Sequence, residues 1–315
     1  MCHIRPPGLV YFYDRPKGRN VTLVEQERLA ERFEKLRPRL RAIAYRMLGS
    51  VSEADDAVQE GWLRLSRSDA SDIVNLAAWL TTVVVRVCLN MLQSRSSRRE
   101  GPLEVHLPEP IVTSENGSDP EAEALLADSV GFAMQVVLET LSPAERVAFV
   151  LHDIFSVPFE EIASMVGRSP AAVRQLASRA RREVQGRPAV PDASLDQQWK
   201  VVDAFFAAAR NGDLERLVAV LDPEVVLRED RGRTAVSQSR LVRGAHSVAR
   251  SAIFGAQPGR EARRALVNGG AGAVIVEDGR PVLVMSFLVR DGRIHEIDLL
   301  ADPERVSRLK LPTLA

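Results

Sequence analysis

Cysteine is scarce in this chain of 315 residues, which contains only Cys2 and Cys88. Because one lies in the leader and the other in an apolar helical run, we expect no disulfide and a reducing compartment. No uninterrupted apolar run approaches the roughly 20 residues that cross a bilayer, so we expect no membrane helix. Residues 1–24 also lack a hydrophobic signal core and are typical of a disordered tail. Together these absences predict a cytoplasmic protein.

Net charge is missing too, since 42 basic and 42 acidic side chains cancel. The sum conceals segregation: residues 95–99 and 168–187 are basic, whereas residues 104–128 contain seven acids and no lysine or arginine. The local charge therefore bears on binding partners more than the total does. An acidic stretch between two basic ones would repel nucleic acid or lie against one of the basic faces.

The stretch over residues 141–185 has the pattern of a helix-turn-helix, in which two short helices join through a tight glycine turn. Its first helix opens with a serine cap, a proline in the first helical position and a glutamate that completes a capping box. The next helix ends at a glycine, and a serine–proline pair opens the last one. These signals lie at Ser142, Pro143, Glu145, Gly167, Ser169 and Pro170, with the middle helix predicted over residues 158–166.

The last helix of this unit separates an apolar face from a basic one. Residues 168–187 contain six arginines and a single acid, Glu183. A basic outward face suits phosphate contact and base readout, and a merely solvated helix end has the same composition. Spacing at about 100° per residue predicts Val173, Leu176, Ala177, Ala180 and Val184 inward, and Arg168, Arg174, Gln175, Ser178, Arg179 and Arg182 outward.

Three more helices are predicted before this unit, over residues 23–48, 52–65 and 76–95, with Ser52 as the cap of the second. For the outward face of the second helix, spacing alone favours solvation over docking of a basic partner. The third becomes basic toward its end, which suits either a nucleic-acid backbone or the helix dipole. The outward residues are Asp56, Gln59, Glu60 and Leu63 on the second helix, and Arg86, Asn90, Gln93, Arg95, Arg98 and Arg99 on the third.

Two proline-containing linkers, at residues 101–128 and 188–195, divide the chain into predicted domains at residues 25–100, 129–187 and 196–306, with a tail at residues 307–315. The last domain combines a helix pair, broken near Asn211, with short strands and Asp-Gly hairpin turns. This order predicts an α+β domain with a curved antiparallel sheet. The strands are predicted over residues 225–229, 273–277, 282–289 and 293–300, with turns at Asp278-Gly279 and Asp291-Gly292.

Three segments together resemble the extracytoplasmic-function sigma factors of bacterial RNA polymerase: DDAVQEGW at residues 55–62, AWLTTVV at residues 78–84 and LSPAER at residues 141–146. The resemblance covers residues 25–187 and implies two all-α domains, sigma region 2 and the sigma region 4 helix-turn-helix. It implies a protein without cofactor, metal or enzymatic activity that directs core RNA polymerase to promoter DNA. By this resemblance Asp55, Asp56, Gln59, Glu60 and Leu63 bind the polymerase core. The basic end of the third helix captures the melted promoter element, and the helix after Pro170 reads the upstream one.

The remaining chain resembles the SigJ-like subgroup, in which a SnoaL-like domain, a cone with a hydrophobic pocket, follows the sigma domains. That subgroup has a Trp-Leu-Pro-Glu-Pro motif in its linker, an Asn-Pro-Asp-Lys motif near its end and a glycine-rich segment. We hypothesise that linker and tail touch, so that the last domain regulates promoter activity, with a small apolar ligand as a possible effector. A separate anti-sigma factor is left open. The matching residues are Leu107, Pro108, Glu109 and Pro110, with His106 replacing the tryptophan, and then Asp302, Pro303, Glu304 and Arg305. The chain departs from the glycine-rich Asp-Gly-Gly-Gly-Lys segment and has only Asp230, Arg231, Gly232 and Arg233 in its place.

Some SnoaL-like relatives isomerise or cyclise ketones, using a carboxylate base and an acid, often tyrosine, that stabilises an enolate. All three tyrosines here lie in the first 50 residues, so the last domain has none. The remaining candidates are Glu229, Asp230, His246, His295 and Asp298, and we assign no catalytic residue. An isomerase-type enzyme fused to a DNA-binding module is one alternative. A dimeric helix-turn-helix regulator is another, and it leaves residues 55–62 unexplained.

Overall fold

A computed structural model describes residues 23–68, 73–98, 105–115, 131–185, 193–232 and 239–312. Residues 1–22 of the predicted tail lie outside the described residues, as do Arg99, Arg233 and the side chain of Arg98.

The first three helices occupy the three predicted segments. They are α1 (Leu23–Leu48), α2 (Val51–Arg67) and α3 (Leu76–Arg98). Gly49 ends α1 at φ 68°, a left-handed conformation that glycine adopts without steric cost. Ser50, not the predicted Ser52, caps α2, because the Ser50 hydroxyl accepts a hydrogen bond from the Glu53 amide while Ser52 lies inside the first turn.

Helix α3 is the one described helix that meets a length-and-composition criterion for crossing a membrane. Leu76–Arg95 meets that criterion by length and composition, with a mean hydropathy of 1.5. Thr81, Thr82 and Arg86 interrupt its apolar sequence, and the core helices of folded proteins meet the same criterion. The helix packs its buried residues, among them Leu80 and Val84, into the core formed with the neighbouring helices.

Four further helices form the second half of the helical region. They are α4 (Gly131–Thr140), α5 (Pro143–Phe149), α6 (Phe159–Val166) and α7 (Pro170–Gln185), with a π-helical turn at Val150–Ile154 after α5. The predicted capping box of Ser142 and Glu145 is present, and Gly167 ends α6 in the left-handed conformation. Because α3 packs against α5 and α6, both predicted helical domains share one hydrophobic core.

The C-terminal region is a sheet flanked by helices, which confirms the α+β prediction, and we call it the sheet domain. Both Asp-Gly turns are present with positive φ at each residue. The sheet has the order β1-β4-β5-β6-β7-β2-β3, and it is not wholly antiparallel because β2 pairs in parallel with β7. The elements after β1 are α8 (Leu195–Arg210), α9 (Leu214–Val220), β2 (Leu221–Asp230), β3 (Arg240–Arg243), α10 (Ala245–Gly255), β4 (Arg260–Val267), β5 (Gly270–Glu277), β6 (Arg280–Arg290), β7 (Arg293–Leu300) and α11 (Pro303–Arg308).

Strand β1 (Val112–Thr113) comes from the predicted acidic linker and forms one edge of this sheet. It pairs antiparallel with β4, with Val112 opposite Val267. Leu107 and Val112 are buried against Val274 and Val284 of the sheet. The described part of the linker, residues 105–115, is therefore an integral part of the sheet domain and does not lie against a basic helix face.

Candidate polymerase and nucleic-acid interfaces

The outward face of α7 is arranged as the periodicity predicts. All five residues predicted to point inward are buried, and all six predicted to point outward are exposed. The Ser169 hydroxyl accepts a hydrogen bond from the Ala172 amide at 3.2 Å and so caps the helix. Burial of the apolar stripe fixes the rotation of α7, which holds the basic side chains outward, as contact with a DNA groove requires.

Arg174 on α7 is oriented by two residues of α6. Its guanidinium donates to a Glu160 carboxylate oxygen at 2.6 Å and lies 5.5 Å from the centre of the Phe159 ring. The two charged side chains are 53% and 63% exposed, and ion pairs this exposed contribute little to stability. Arg174 is therefore positioned at the surface and remains accessible to a phosphate or a base.

The outward face of α2 is also exposed. Asp56 and Gln59 are exposed, and Leu63 is 37% exposed. Glu60 accepts a hydrogen bond from Arg64 at 2.9 Å. Asp55 accepts one from Arg41 of α1 at 3.0 Å, a partner that periodicity alone could not identify. The residues predicted to bind core polymerase thus share one face, which no described part of the sheet domain covers.

The basic end of α3 differs from the faces of α2 and α7, because its described arginines donate hydrogen bonds to other parts of the protein. Arg86 donates to the backbone carbonyls of Met165 and Ser164 on α6, both at 3.1 Å. Arg95 donates to the carbonyl of Leu48 at 2.8 Å and pairs with Glu53. Asn90 and Gln93 are exposed. On the surface predicted to bind melted DNA, the amide side chains of Asn90 and Gln93 are therefore exposed. Its two described arginines connect α3 to neighbouring elements.

A buried carboxylate joins the linker motif to the tail motif. Asp230, at the end of β2, accepts hydrogen bonds from the Leu107 amide at 2.8 Å and from the Arg305 guanidinium at 2.6 Å. Arg305 also donates to the Leu107 carbonyl at 2.6 Å. Asp302 caps α11 and thereby positions Arg305, and a Cβ atom at Gly232 would clash with Asp302. Linker and tail therefore touch, as hypothesised.

A second set of bonds connects the linker to the helical region. The Tyr45 hydroxyl donates to the Glu109 carbonyl at 2.8 Å and accepts from the Asn268 amide at 2.9 Å. Burial raises the pKa of Tyr45 to about 12, so the phenol stays protonated. The Glu109 carboxylate accepts from the Ser50 hydroxyl and the Val51 amide at the start of α2, where the helix dipole favours a negative charge.

These two sets form what we call the linker junction, whose residues are Tyr45, Leu107, Glu109, Asp230, Asn268 and Arg305. Sequence reasoning identified the motif residues and missed Tyr45 and Asn268. The Asn268-Gly269 dipeptide between β4 and β5 is itself a turn signal, with positive φ at both residues. Asn268 is nevertheless 98% buried in this turn, since its relative exposure is 2%, and its side chain reaches both Tyr45 and the Ile111 amide.

The residues considered for catalysis do not converge on one site. Glu229 faces the interior of the sheet domain, and Arg231 and Arg240 pair with its carboxylate. Asp298 lies on the opposite face of the sheet, where burial beside Glu296 raises its pKa to about 6, although Arg228 lowers it. His295 lies 3.7 Å from Asp222, and His246 is exposed on α10. Asp230 belongs to the linker junction.

Comparison with known proteins agrees with this geometry. The Sigma-70 region 2 model matches residues 32–98, and the Sigma-70 region 4 model matches residues 132–184. The ECF RNA polymerase sigma factor SigJ of Mycobacterium tuberculosis is 41% identical over 291 residues, which are 87% of this chain and 91% of that protein. The probable ECF sigma factor SigI of the same species is 34% identical over 277 residues, or 85% and 91% of the two chains.

A solved structure extends the agreement to the whole fold. The crystal structure of M. tuberculosis SigJ matches with a TM-score of 0.70 and 38% identity, covering 90% of this chain and 100% of that one. A helical core with an exposed acidic face on α2 and an exposed basic face on α7 therefore defines a sigma factor of the sigma-70 type. The chain belongs to the extracytoplasmic-function sigma factors, which direct RNA polymerase to promoters and initiate transcription.

Proposed function

We propose that this sigma factor binds core polymerase through the exposed face of α2 and the upstream promoter element through the outward face of α7. The support for α2 is that Asp56, Gln59 and Leu63 remain exposed with the sheet domain in place. The support for α7 is a continuous basic face with hydrogen-bonding side chains at base-reading positions. Both steps would take place in the cytoplasm, where the polymerase acts.

The basic end of α3 receives the melted promoter element only after a rearrangement. Arg86 uses its Nε and Nη2 groups to bond the carbonyls of Met165 and Ser164, so a phosphate can be bound by that edge of the guanidinium only if these bonds break. We call the arrangement in which Arg86 bonds to α6 the closed form. In the closed form the polymerase-binding face of α2 is exposed. Arg86 and Arg95, which melted DNA requires, are hydrogen-bonded within the protein. The Arg86 contact is the observation that carries this proposal.

The sheet domain stabilises the closed form through the linker junction. Glu109 bonds to the start of α2, Tyr45 connects α1 to Asn268, and Arg305 holds Leu107 against Asp230. The separation of α3 from α6 would strain these bonds, since the linker joins the two helical segments. The domain thus acts as a regulator and not as an enzyme, because the carboxylates considered for catalysis, Glu229, Asp298 and Asp230, are paired with arginines or used in this junction.

In-vitro transcription with purified core polymerase on a genomic promoter library tests these assignments. Arg305→Ala removes the bonds to Asp230 and Leu107 and should increase the rate of promoter opening several-fold at unchanged core affinity. Arg308→Ala is the matched control, because Arg308 lies on the same helix and its described bond is to Glu304 on that helix. Unchanged or slower opening by Arg305→Ala contradicts the regulatory proposal.

Co-purification with core polymerase tests the polymerase-binding face. Asp56→Arg should lose co-purification with core polymerase while its affinity for free promoter DNA stays the same. Glu224→Arg is a matched charge reversal at an exposed position of the sheet domain. If Asp56→Arg still co-purifies with core polymerase, α2 does not carry the interface.

A further inference from the structure

The sheet domain contains a cavity that none of the interfaces above uses. It has a volume of about 350 Å³ and lies between α8, α10 and the inner face of the sheet. Its body is apolar and includes Phe205 of α8, Leu227 of β2 and Met285 of β6. The volume falls in the range of small-molecule sites, which are mostly apolar and have a few well-placed polar groups.

Four arginines line this cavity, and the strand register places three of them at one end of the sheet. Arg240 begins β3 opposite Glu229 near the end of β2, and Arg231 follows β2 directly. Arg260 begins β4 opposite Glu277 at the end of β5. Arg210 ends α8. All four arginines therefore stand at the ends of elements, around the apolar body of the cavity.

The acids near these arginines do not balance their charge. Arg231 and Arg240 share the single carboxylate of Glu229, and Arg260 pairs with Glu277 at 3.3 Å. Arg210 has no carboxylate partner within the part of the chain that the structure describes. Arg210 thus adds a positive charge beside an apolar cavity that no described carboxylate balances. Such an excess favours an anion, and a guanidinium fork binds carboxylates with bidentate geometry.

Phe254 of α10 adds a second observation. It lines the cavity and is nevertheless 75% exposed, the most exposed aromatic side chain among the described large hydrophobic residues. An apolar ring that borders a cavity and remains in contact with water would be covered if an apolar ligand occupied the cavity. A ligand that fits this cavity would therefore have an apolar part for its body and a charged group for its arginine-lined end.

We propose that this cavity binds a small anionic amphiphile, an apolar acid whose hydrocarbon part lies against Phe205 and Met285. Its carboxylate meets Arg210 and Arg240. This inference rests on the regulatory role proposed for the sheet domain and replaces the purely apolar effector expected from the sequence. A neutral apolar molecule would leave the excess positive charge uncompensated, and a cationic one would add to it.

Titration calorimetry with the full-length protein tests the class of ligand. The probes are decanoate, decan-1-ol and decyltrimethylammonium, matched in chain length and kept below their micelle concentrations. Decanoate should bind at a single saturable site, at least tenfold more tightly than the alcohol, and the cation should show no saturable binding. The proposal is overturned if the alcohol binds as tightly as decanoate, if the cation binds more tightly, or if no probe binds saturably.

Arginine variants locate the site. Arg210→Gln and Arg240→Gln should each weaken decanoate binding about tenfold and leave decan-1-ol binding unchanged. Arg250→Gln is the matched control, because Arg250 is exposed on α10 and does not line the cavity. Arg210 has no described carboxylate partner, so its variant keeps the fold even if Arg240→Gln disturbs Glu229. Wild-type affinity in both variants places decanoate elsewhere and overturns the assignment.

Transcription measured with and without decanoate separates this proposal from the regulatory one. If decanoate binds and neither decanoate nor Arg305→Ala changes promoter opening, the ligand site stands and the regulatory role of the domain fails. If Arg305→Ala accelerates opening but decanoate does not bind, the regulatory role stands and the ligand assignment fails.

Discussion

The two surfaces of the helical region that are proposed to contact DNA differ in what their arginines contact. On α7, Arg174 forms an exposed pair with Glu160, and the rest of the outward face is open. On α3, Arg86 and Arg95 donate to backbone carbonyls of other elements. The comparison shows that arginines on similar basic helix faces can remain exposed in one place and bond to neighbouring elements in another.

The energies of the two arrangements also differ. An exposed ion pair contributes roughly 0 to 1 kcal/mol, so α7 is available to DNA at little cost. A hydrogen bond from a charged group to a carbonyl contributes roughly 1.5 to 3 kcal/mol, and Arg86 makes two, although its partial exposure reduces that value. Promoter binding should therefore engage α7 first and α3 only when DNA and polymerase contacts compensate for the lost bonds.

The largest expected effect is on α7. Arg174→Ala combined with Arg179→Ala should lower promoter affinity roughly 100-fold, since each specific contact contributes about 1 to 3 kcal/mol. Fluorescence anisotropy with promoter DNA at fixed salt measures this. The free energy of unfolding should not change, because both side chains are exposed. Arg250→Ala with Arg293→Ala removes the same charge elsewhere, and an equal loss in that control would mean that α7 contributes only nonspecific charge.

A smaller effect is expected at the linker junction. Tyr45→Phe removes the hydroxyl and leaves the Asn268 amide and the Glu109 carbonyl without this partner. The unfolding free energy should fall by about 2 kcal/mol, because buried unsatisfied polar groups cost roughly 1 to 3 kcal/mol. Urea denaturation measures this loss, and promoter opening should become faster. A destabilised variant that opens promoters no faster would show that the junction does not restrain α3.

The smallest of the three expected effects follows from Arg86→Ala. Loss of the two carbonyl contacts should lower the unfolding free energy by about 1 kcal/mol, since the side chain is exposed. The same change should slow promoter opening, because the open form then lacks a phosphate ligand. Denaturation and permanganate footprinting report the two effects separately. If stability falls and promoter opening is unaffected, Arg86 serves only to pack α3 against α6. It would then differ fully from the α7 arginines, which are proposed to bind DNA.

Local signals were sufficient to predict most of the helical region. The capping box at Ser142, the glycine at the end of α6 and the 3.6-residue period of α7 are properties of neighbouring residues, and all are present. The functional roles of individual side chains on these faces remain predictions. The cap at Ser50 was missed because two serines, Ser50 and Ser52, carry the same local signal.

Features that depend on distant partners were not predictable. Strand β1 has two residues within a proline-rich stretch, and only its pairing with β4 makes it a strand. Strand β4 itself has arginines at positions 260, 263 and 264, so its sequence lacks a continuous apolar pattern, and β3 and α10 were missed as well. The hydrogen bonds from Arg86 to the carbonyls of α6 arise only in the tertiary structure, since 78 or more residues separate Arg86 from its acceptors.

The strand that the linker adds to the sheet changes what can be isolated for study. A recombinant fragment that begins at Ala193 would lack residues 105–115 and leave the outer edge of β4 unpaired. Unpaired edges of this kind associate with other chains, so such a fragment should aggregate or dimerise through β4. A soluble version would require the missing strand as a fused or added peptide, in the same antiparallel register, with Val112 opposite Val267.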